Sequence, residues 1–215
     1  GTPDQEMQAA LDPSSSNRAP AVQCKRRPRK KILLLCAGPD ARTDSLTNLF
    51  QAAGYDAVNY DLCNGQHCDL ADGAIYEDLL RCVTAGEFMA CFASPDCSTF
   101  SKLRNRPGGP PVLRGKSGRE LRMGLKQYKS GKPMTIEDKE KVKVHTLVAI
   151  RVAELLDLFA TRGLPFAFET PEIVEDAVSM GHLDEYVALR KLPNVTQTVG
   201  LQCPFGAETS VVASS

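Results

Sequence analysis

The sequence predicts an α/β fold with a mainly parallel sheet and helices on both faces. Short, continuous apolar runs, which are typical of buried parallel strands, alternate along the chain with segments of helical period. Gly and Pro stand between these segments, where such folds make their turns. We therefore expect strands and helices to follow one another in regular alternation.

The elements can be assigned in order from residue 31. Strands are predicted at residues 31–36, 55–62, 88–93 and 164–169, with two shorter ones at 195–199 and 209–213. Helices are predicted at residues 45–53, 72–85, 136–162 and 183–190. Thr43 or Asp44 is suited to cap the first helix, and Gly54 and Gly163 are suited to end the first and third.

Composition excludes several classes of protein. The 215 residues are 42% hydrophobic, which is enough for the core of one domain. The 26 Lys and Arg balance the 26 Asp and Glu, so the protein is not basic throughout. No apolar run approaches the ~20 residues of a membrane span, and no signal peptide is recognisable. Several of the eight Cys lie in apolar runs, which predicts reduced thiols and an intracellular, reducing compartment.

Charge is unevenly distributed along the neutral chain. Residues 1–30 are predicted to be a disordered arm that ends within the basic run KRRPRKK of residues 25–31, which suits a nuclear signal or a solubilising linker. Residues 31–215 then form the folded domain, with an inserted basic loop at 102–135. Residues 102–132 hold ten Lys or Arg against the single acid Glu120. Such a block favours contact with nucleic acid, the alternative being a solvated loop.

The first two strand ends suggest a nucleoside-type ligand, because ligands of parallel sheets bind beyond the carboxyl ends of the strands. The first turn holds a single glycine, Gly38, and so lacks the GxGxxG fingerprint of dinucleotide binding. Asp61 ends the next strand, where a carboxylate accepts both hydroxyls of a ribose. A nucleoside without a pyrophosphate therefore fits better than a dinucleotide, the alternative being an ordinary tight turn.

The next two strand ends carry a candidate nucleophile and a candidate acid. Cys97 follows the strand at 88–93 after the rigid Pro95, and a helix beginning near Ser98 would favour its thiolate. Glu169 ends an apolar strand, where partial desolvation suits a proton donor. The alternatives are a small buried Cys, which is our interpretation of Cys36, Cys82 and Cys91, and a Glu that is exposed or caps a helix.

Other polar clusters are weaker. Cys63, His67 and Cys68 offer three metal ligands without a fourth nearby, whereas a structural zinc needs four, so no metal is expected. His145 and His182 fall on predicted helices and are assigned no role.

Taken in order, the strand-end motifs resemble those of a known family. They are residues 35–39 with 43–45 behind them, Asp61, Asp69, residues 94–101, residues 169–171 and residues 202–206. The set resembles the cytosine-5 DNA methyltransferases, and more closely the short, divergent methyltransferase-like domains of phages and retroelement polyproteins. The resemblance spans about residues 32–213. It implies a Rossmann-like fold that depends on S-adenosylmethionine.

The resemblance also implies a mechanism and a set of site residues. A target cytosine would be flipped out of DNA, attacked at carbon 6 by Cys97, held at nitrogen 3 by Glu169 and methylated at carbon 5. S-adenosylmethionine would contact Cys36, Ala37, Gly38, Pro39, Ser45, Asp61, Leu62, Asp69, Leu70 and Ser94. The DNA would contact Arg104, Arg106, Arg114 and Lys116.

The chain departs from the family's pattern at several points. Asp96 separates Pro95 from Cys97, and a carboxylate there opposes thiolate formation. Thr170 replaces the usual Asn, and the segment near Gln197 lacks the family's arginines. Only 46 residues follow residue 169, so target specificity is expected to come from a separate module or partner. Two alternatives stay open: a catalytically impaired module that binds nucleic acid, and a methyltransferase that acts on RNA.

Overall fold

The computed structural model describes residues 30–171, 173 and 175–198. Within them, four strands form one all-parallel sheet in the order β2-β1-β3-β4. The strands are β1 (Lys31–Leu35), β2 (Asp56–Tyr60), β3 (Phe88–Ala93) and β4 (Phe166–Phe168). The helices are α1 (Leu46–Ala52), α2 (Gly73–Ala85), α3 (Gly118–Met123), α4 (Ile136–Thr161) and α5 (Asp184–Arg190). The predicted α/β class and parallel sheet are confirmed.

The central strand β1 is apolar on both faces because both faces are covered. Ile32, Leu33, Leu34 and Leu35 are all buried, and β1 pairs in parallel with β2 and with β3. Ile32 and Leu34 pack in the cluster that includes residues of α1. Leu33 and Leu35 point the other way, into the main core with α2, α4 and α5. Helices therefore lie on both faces, as the continuous apolar run predicts.

The helix starts follow local capping chemistry. Ser45, rather than Thr43 or Asp44, caps α1: its hydroxyl accepts from the N–H of Asn48. The carboxylate of Asp72 caps α2, and the hydroxyl of Thr135 caps α4. These contacts satisfy N–H groups that have no partner within the helix, and they set the helix starts to within a residue of the predicted ones.

The basic loop is more structured than predicted. It contains a 3-10 helix (Lys102–Asn105), the helix α3 and an isolated bridge between Gln127 and Pro133. Leu113 and Met134, both buried, pack with Val142 of α4, and Leu121 of α3 joins the main core. The loop is therefore ordered although its sequence has no long periodic pattern, because a few spaced apolar residues pack it against the rest of the domain.

Some predicted elements differ or fall outside the described residues. Residues 195–198 are not a strand, and residue 199 together with 209–213, 202–206 and 1–29 lies outside the described residues. The six cysteines in the described part of the chain are free thiols. None of the helices described there combines the length and apolar composition needed to cross a membrane.

Candidate functional site

A cavity of about 340 Å³ opens at the carboxyl ends of β1, β2 and β3. The strand order reverses direction between β1 and β3, and such a switch point is where parallel sheets bind ligands. Seven of the ten predicted cofactor contacts line the cavity. They are Cys36, Gly38, Asp61 and Leu62 from the first two strand ends, and Asp69, Leu70 and Ser94 from later segments.

Asp61 ties the first two strand ends together. Its Oδ2 accepts from the N–H of Gly38 at 2.8 Å, and its Oδ1 accepts from the N–H of Cys63 at 3.0 Å. Burial opposes the charge of Asp61, but the hydrogen bonds from Cys63 and Gly38 outweigh it and lower the pKa of the carboxyl. An ionised carboxylate is therefore fixed at the cavity wall, where it retains capacity to accept further hydrogen bonds.

A buried polar network that the sequence did not reveal shapes the turn after β1. The Asn59 side chain, in β2, donates to the carbonyl of Gly38 at 2.9 Å and to Asp40 Oδ1 at 2.8 Å. The Thr47 hydroxyl of α1 donates to the same Asp40 oxygen. The only sequence signal was a polar residue inside an apolar strand. This network stabilises the turn, which lacks the further glycines of the GxGxxG dinucleotide fingerprint.

Three predicted cofactor contacts do not line the cavity. Ser45 is 7% exposed, and its hydroxyl is occupied in capping α1 and in a hydrogen bond to the carbonyl of Asp40. Ala37 packs on the α1 side of the sheet. Pro39 is not among the lining residues either. These three residues therefore lie outside the described cavity lining, and their contact with a cofactor stays a prediction.

The cavity is acidic. Asp61, Asp69 and Asp96 line it, and none of its described lining residues is Lys or Arg. Burial raises the pKa of Cys36, which also lines the cavity, to about 12, with the nearby carboxylates adding to the effect. That thiol therefore stays protonated at neutral pH. The lining favours a ligand that carries positive charge and hydrogen-bond donors.

Cys97 and Glu169 lie at the ends of neighbouring strands. The N–H of Glu169 donates to the carbonyl of Ala93, the last residue of β3, at 2.8 Å. The Ser94 hydroxyl donates to Glu169 Oε2 at 3.2 Å, which joins the acid to a residue of the cavity wall. Glu169 also acts electrostatically on Cys97. The predicted nucleophile and the predicted acid thus lie close enough for the charge of Glu169 to act on Cys97, although neither is among the described residues that line the cavity.

The surroundings of Cys97 oppose its thiolate. Burial raises the pKa of the thiol, and the charges of Asp96 and Glu169 raise it further, against a smaller opposing effect of a backbone hydrogen bond. The helix expected near Ser98 is absent from this segment. Asp96 Oδ1 accepts from the N–H of Ser98 at 2.6 Å, and a turn closes where Phe100 N–H donates to the carbonyl of Cys97 at 2.8 Å.

Two hydroxyls beside these residues lack partners. Ser98 follows Cys97 and Thr170 follows Glu169, and the oxygens Ser98 Oγ and Thr170 Oγ1 are buried without a hydrogen bond in the described structure. Buried polar atoms normally find a partner, either in the protein or in a ligand or water.

His145 is a site residue that the sequence analysis missed. It lies on α4, lines the cavity, and places Nε2 3.5 Å from Asp96 Oδ2 and Nδ1 3.4 Å from the Thr99 hydroxyl. Burial lowers its pKa, and the charge of Asp96 only partly offsets this, so the imidazole is neutral at pH 7. No local sequence pattern indicates this contact, which joins segments about fifty residues apart.

Arg114 cannot contact DNA as predicted. It is 1% exposed, and its guanidinium stacks 3.7 Å from the centre of the Phe100 ring. It donates to the carbonyls of Leu121 at 2.6 Å and Val142 at 2.8 Å, among other acceptors. Burial lowers its pKa to about 9, which leaves it protonated at pH 7. The guanidinium therefore stabilises the interior of the loop. The basic composition of the segment gave no indication that this residue is buried.

The other predicted phosphate ligands differ in exposure. Arg104 is half-buried and donates to the carbonyls of Ser98 at 2.6 Å and Pro111 at 2.8 Å, so it braces the segment after the nucleophile. Arg106 is exposed. Lys116 is exposed too, with Asp176 3.5 Å away. Arg106 and Lys116 are thus the members of the predicted set that are accessible to a polyanion.

No group of three or more His, Cys, Asp or Glu within the described residues is arranged to hold a metal ion. Comparison of this chain with family models, with curated proteins and with solved structures finds no match.

Proposed function

We propose that the protein is an S-adenosylmethionine-dependent methyltransferase of Rossmann-like fold that acts on carbon 5 of cytosine in DNA. The observation that supports the proposal is that two features lie next to each other at one edge of the sheet. Cys97 and Glu169 lie in the segments that follow the neighbouring strands β3 and β4, and Ser94 links Glu169 to the acidic cavity at the switch point. A nucleophile, an acid and a ligand cavity at one edge form a candidate active site.

The residues of the cavity fit the proposed cofactor. A volume of about 340 Å³ lies within the usual range for small-molecule sites. Asp61 offers carboxylate oxygens to ribose hydroxyls, and Asp69 lies further along the same wall. The sulfonium and ammonium groups of the cofactor suit a lining that is rich in carboxylates. When bound, the cofactor supplies an electrophilic methyl group.

The roles of the chain's own residues follow from their chemistry. Cys97, as a thiolate, adds to carbon 6 of the flipped base, and Glu169 donates a proton to nitrogen 3, which makes carbon 5 nucleophilic. The Ser94 hydroxyl orients Glu169. Once carbon 5 is methylated, its proton passes to water, the thiolate of Cys97 leaves carbon 6, and nitrogen 3 returns its proton to Glu169.

The test is a covalent trap. DNA containing 5-fluorocytosine forms a stable adduct with such an enzyme, because fluorine at carbon 5 replaces the proton that elimination must remove. With S-adenosylmethionine present, we expect a band that resists denaturation and whose cross-linked peptide contains Cys97. Cys97→Ser should remove the band, while the matched variant Cys82→Ser should keep it. Methylation of normal DNA without any adduct would refute the role of Cys97.

A second candidate is a nucleic-acid-binding module without catalysis. The observation that favours it is Asp96, whose charge, together with burial, raises the pKa of the Cys97 thiol. This candidate predicts salt-dependent binding of DNA or RNA, but no adduct between pH 7 and pH 9. Competition between DNA and RNA of equal sequence in the binding and trapping assays distinguishes DNA from RNA as the substrate.

A further inference from the structure

Asp96 is part of both the cavity and the segment that carries Cys97. It lines the cavity and directly precedes Cys97. Its carboxylate is held from both sides, because Oδ1 accepts from the N–H of Ser98 at 2.6 Å and Oδ2 lies 3.5 Å from His145 Nε2. A negative charge is thus fixed between the proposed cofactor cavity and the proposed nucleophile.

The charged groups around Asp96 do not neutralise it. His145, which faces it from α4, is itself affected by Lys141, Arg114 and Arg104, and burial favours its neutral form. The other carboxylate that acts on Cys97, Glu169 at the end of β4, has the same sign as Asp96. The described lining of the cavity contains no Lys or Arg. The Asp96 side chain is 61% exposed, so water screens part of its charge, and a cation bound in the cavity would add the positive charge that the described lining does not supply.

We propose that the sulfonium charge of the methyl donor activates the nucleophile: bound in the cavity, it offsets Asp96 and shifts Cys97 toward the thiolate. The inference rests on the proposed function and adds to it an order of events, because the thiol gains reactivity after the donor has bound. The charge leaves with the methyl group, since S-adenosylhomocysteine has a neutral sulfide. Donor and product therefore act differently on Cys97.

Thermodynamic reciprocity gives the proposal a second consequence. If the donor favours the thiolate form of Cys97, the thiolate must favour binding of the donor by the same factor. The affinity for S-adenosylmethionine should therefore rise as pH increases through the titration of Cys97. The affinity for S-adenosylhomocysteine should rise less over the same range.

The experiment measures the rate at which iodoacetamide alkylates Cys97 as a function of pH, by mass spectrometry of its peptide. Three samples are compared: the free protein, the protein saturated with S-adenosylmethionine and the protein saturated with S-adenosylhomocysteine, with saturation checked by calorimetry. The midpoint of the pH profile reports thiol ionisation, whereas its plateau reports access. We expect S-adenosylmethionine to lower the midpoint by about one pH unit, which is about tenfold in thiolate below the midpoint. S-adenosylhomocysteine should lower it much less.

Two variants and one internal reference make the measurement specific. Asp96→Asn keeps an oxygen for the Ser98 N–H but removes the charge, so the midpoint should fall in the free protein, while the difference between the two ligands should remain because the sulfonium still attracts the thiolate. Asp69→Asn removes another carboxylate of the cavity, and at saturating ligand the difference should persist. Cys82, whose surroundings are Glu87, Lys31 and Arg81 rather than the cavity, should titrate alike in every sample.

The outcomes separate the inference from the function on which it rests. If both ligands bind and shift the midpoint equally, or neither shifts it, the activation of Cys97 by the donor's charge is refuted while the cofactor site stands. If neither ligand binds, the proposed function fails and the inference fails with it. A shift that is specific to S-adenosylmethionine, together with a lower midpoint of the free protein in Asp96→Asn, supports both.

Discussion

Replacing Arg114 with Met should destabilise the fold rather than weaken DNA binding directly. The guanidinium donates to the carbonyls of Leu121 and Val142 at 2.6 and 2.8 Å, and to the hydroxyls of Thr99 and Thr146 at 3.1 and 2.8 Å. Arg114 therefore joins the segment after Cys97 to α3 and α4. Methionine retains much of the apolar stem but provides no donor.

The magnitude follows from the acceptors left behind. The Thr146 hydroxyl also donates to the carbonyl of Val142, so this carbonyl keeps a partner in the variant. The carbonyl of Leu121 loses the guanidinium donor, and a buried acceptor left unsatisfied costs about 1–3 kcal/mol. Losing the remaining charge-assisted bonds adds a similar amount. We expect Arg114→Met to lower the free energy of unfolding by about 3–5 kcal/mol, a large share of the ~5–15 kcal/mol typical of a domain.

The assay is equilibrium unfolding in urea at pH 7, followed by circular dichroism, with DNA affinity measured on the same preparations. Arg119, which is exposed and lies in α3, provides the matched control, and Arg119→Met should change stability by less than about 0.5 kcal/mol. If Arg114→Met left the unfolding midpoint unchanged but reduced DNA affinity, the structural role would be refuted. The phosphate contact expected from sequence would then be correct.

Three further predictions concern the cofactor, the DNA and the core. Asp61→Asn should weaken S-adenosylmethionine binding by about 2 kcal/mol, or roughly 30-fold in Kd, because a charged acceptor is lost; equal affinities by calorimetry would contradict its placement. Replacing Arg106 and Lys116 with Ala should reduce the slope of log K against log salt for DNA binding by about 1.8, and an unchanged slope would exclude both from phosphate contact. Tyr76→Phe removes a 2.6 Å hydrogen bond to Glu154 and should cost about 1–2 kcal/mol in urea unfolding; unchanged stability would show that this bond contributes nothing.

Much of the fold could be predicted because its signals are local. The apolar run of β1 required cover on both faces, and the long helical period at 136–162 matches α4 to within a residue at its end. Asp61, Cys97 and Glu169 could be placed as well, because parallel strands bring their carboxyl ends to one edge of a sheet. Only the positions of the strand ends were needed to predict where these three residues lie.

The missed features depend on contacts between distant segments. His145 reaches Asp96 only because α4 packs beside the end of β3, and Asn59 meets Asp40 only across two strand ends. The sequence predicted Arg114 as a phosphate ligand because a count of charged residues does not show which of them are buried. In each case the deciding fact was the position of a partner that sequence spacing does not provide.

The central claim is methyl transfer to carbon 5 of cytosine, and its most direct test is to detect the product. The protein is incubated with duplex DNA and S-adenosylmethionine carrying an isotopically labelled methyl group, and the digested nucleosides are analysed by mass spectrometry. We expect labelled 5-methyl-2′-deoxycytidine with the wild-type chain and none with Cys97→Ser. Label on an exocyclic amine of cytosine or adenine, label in RNA alone, or no label although the cofactor binds would contradict it.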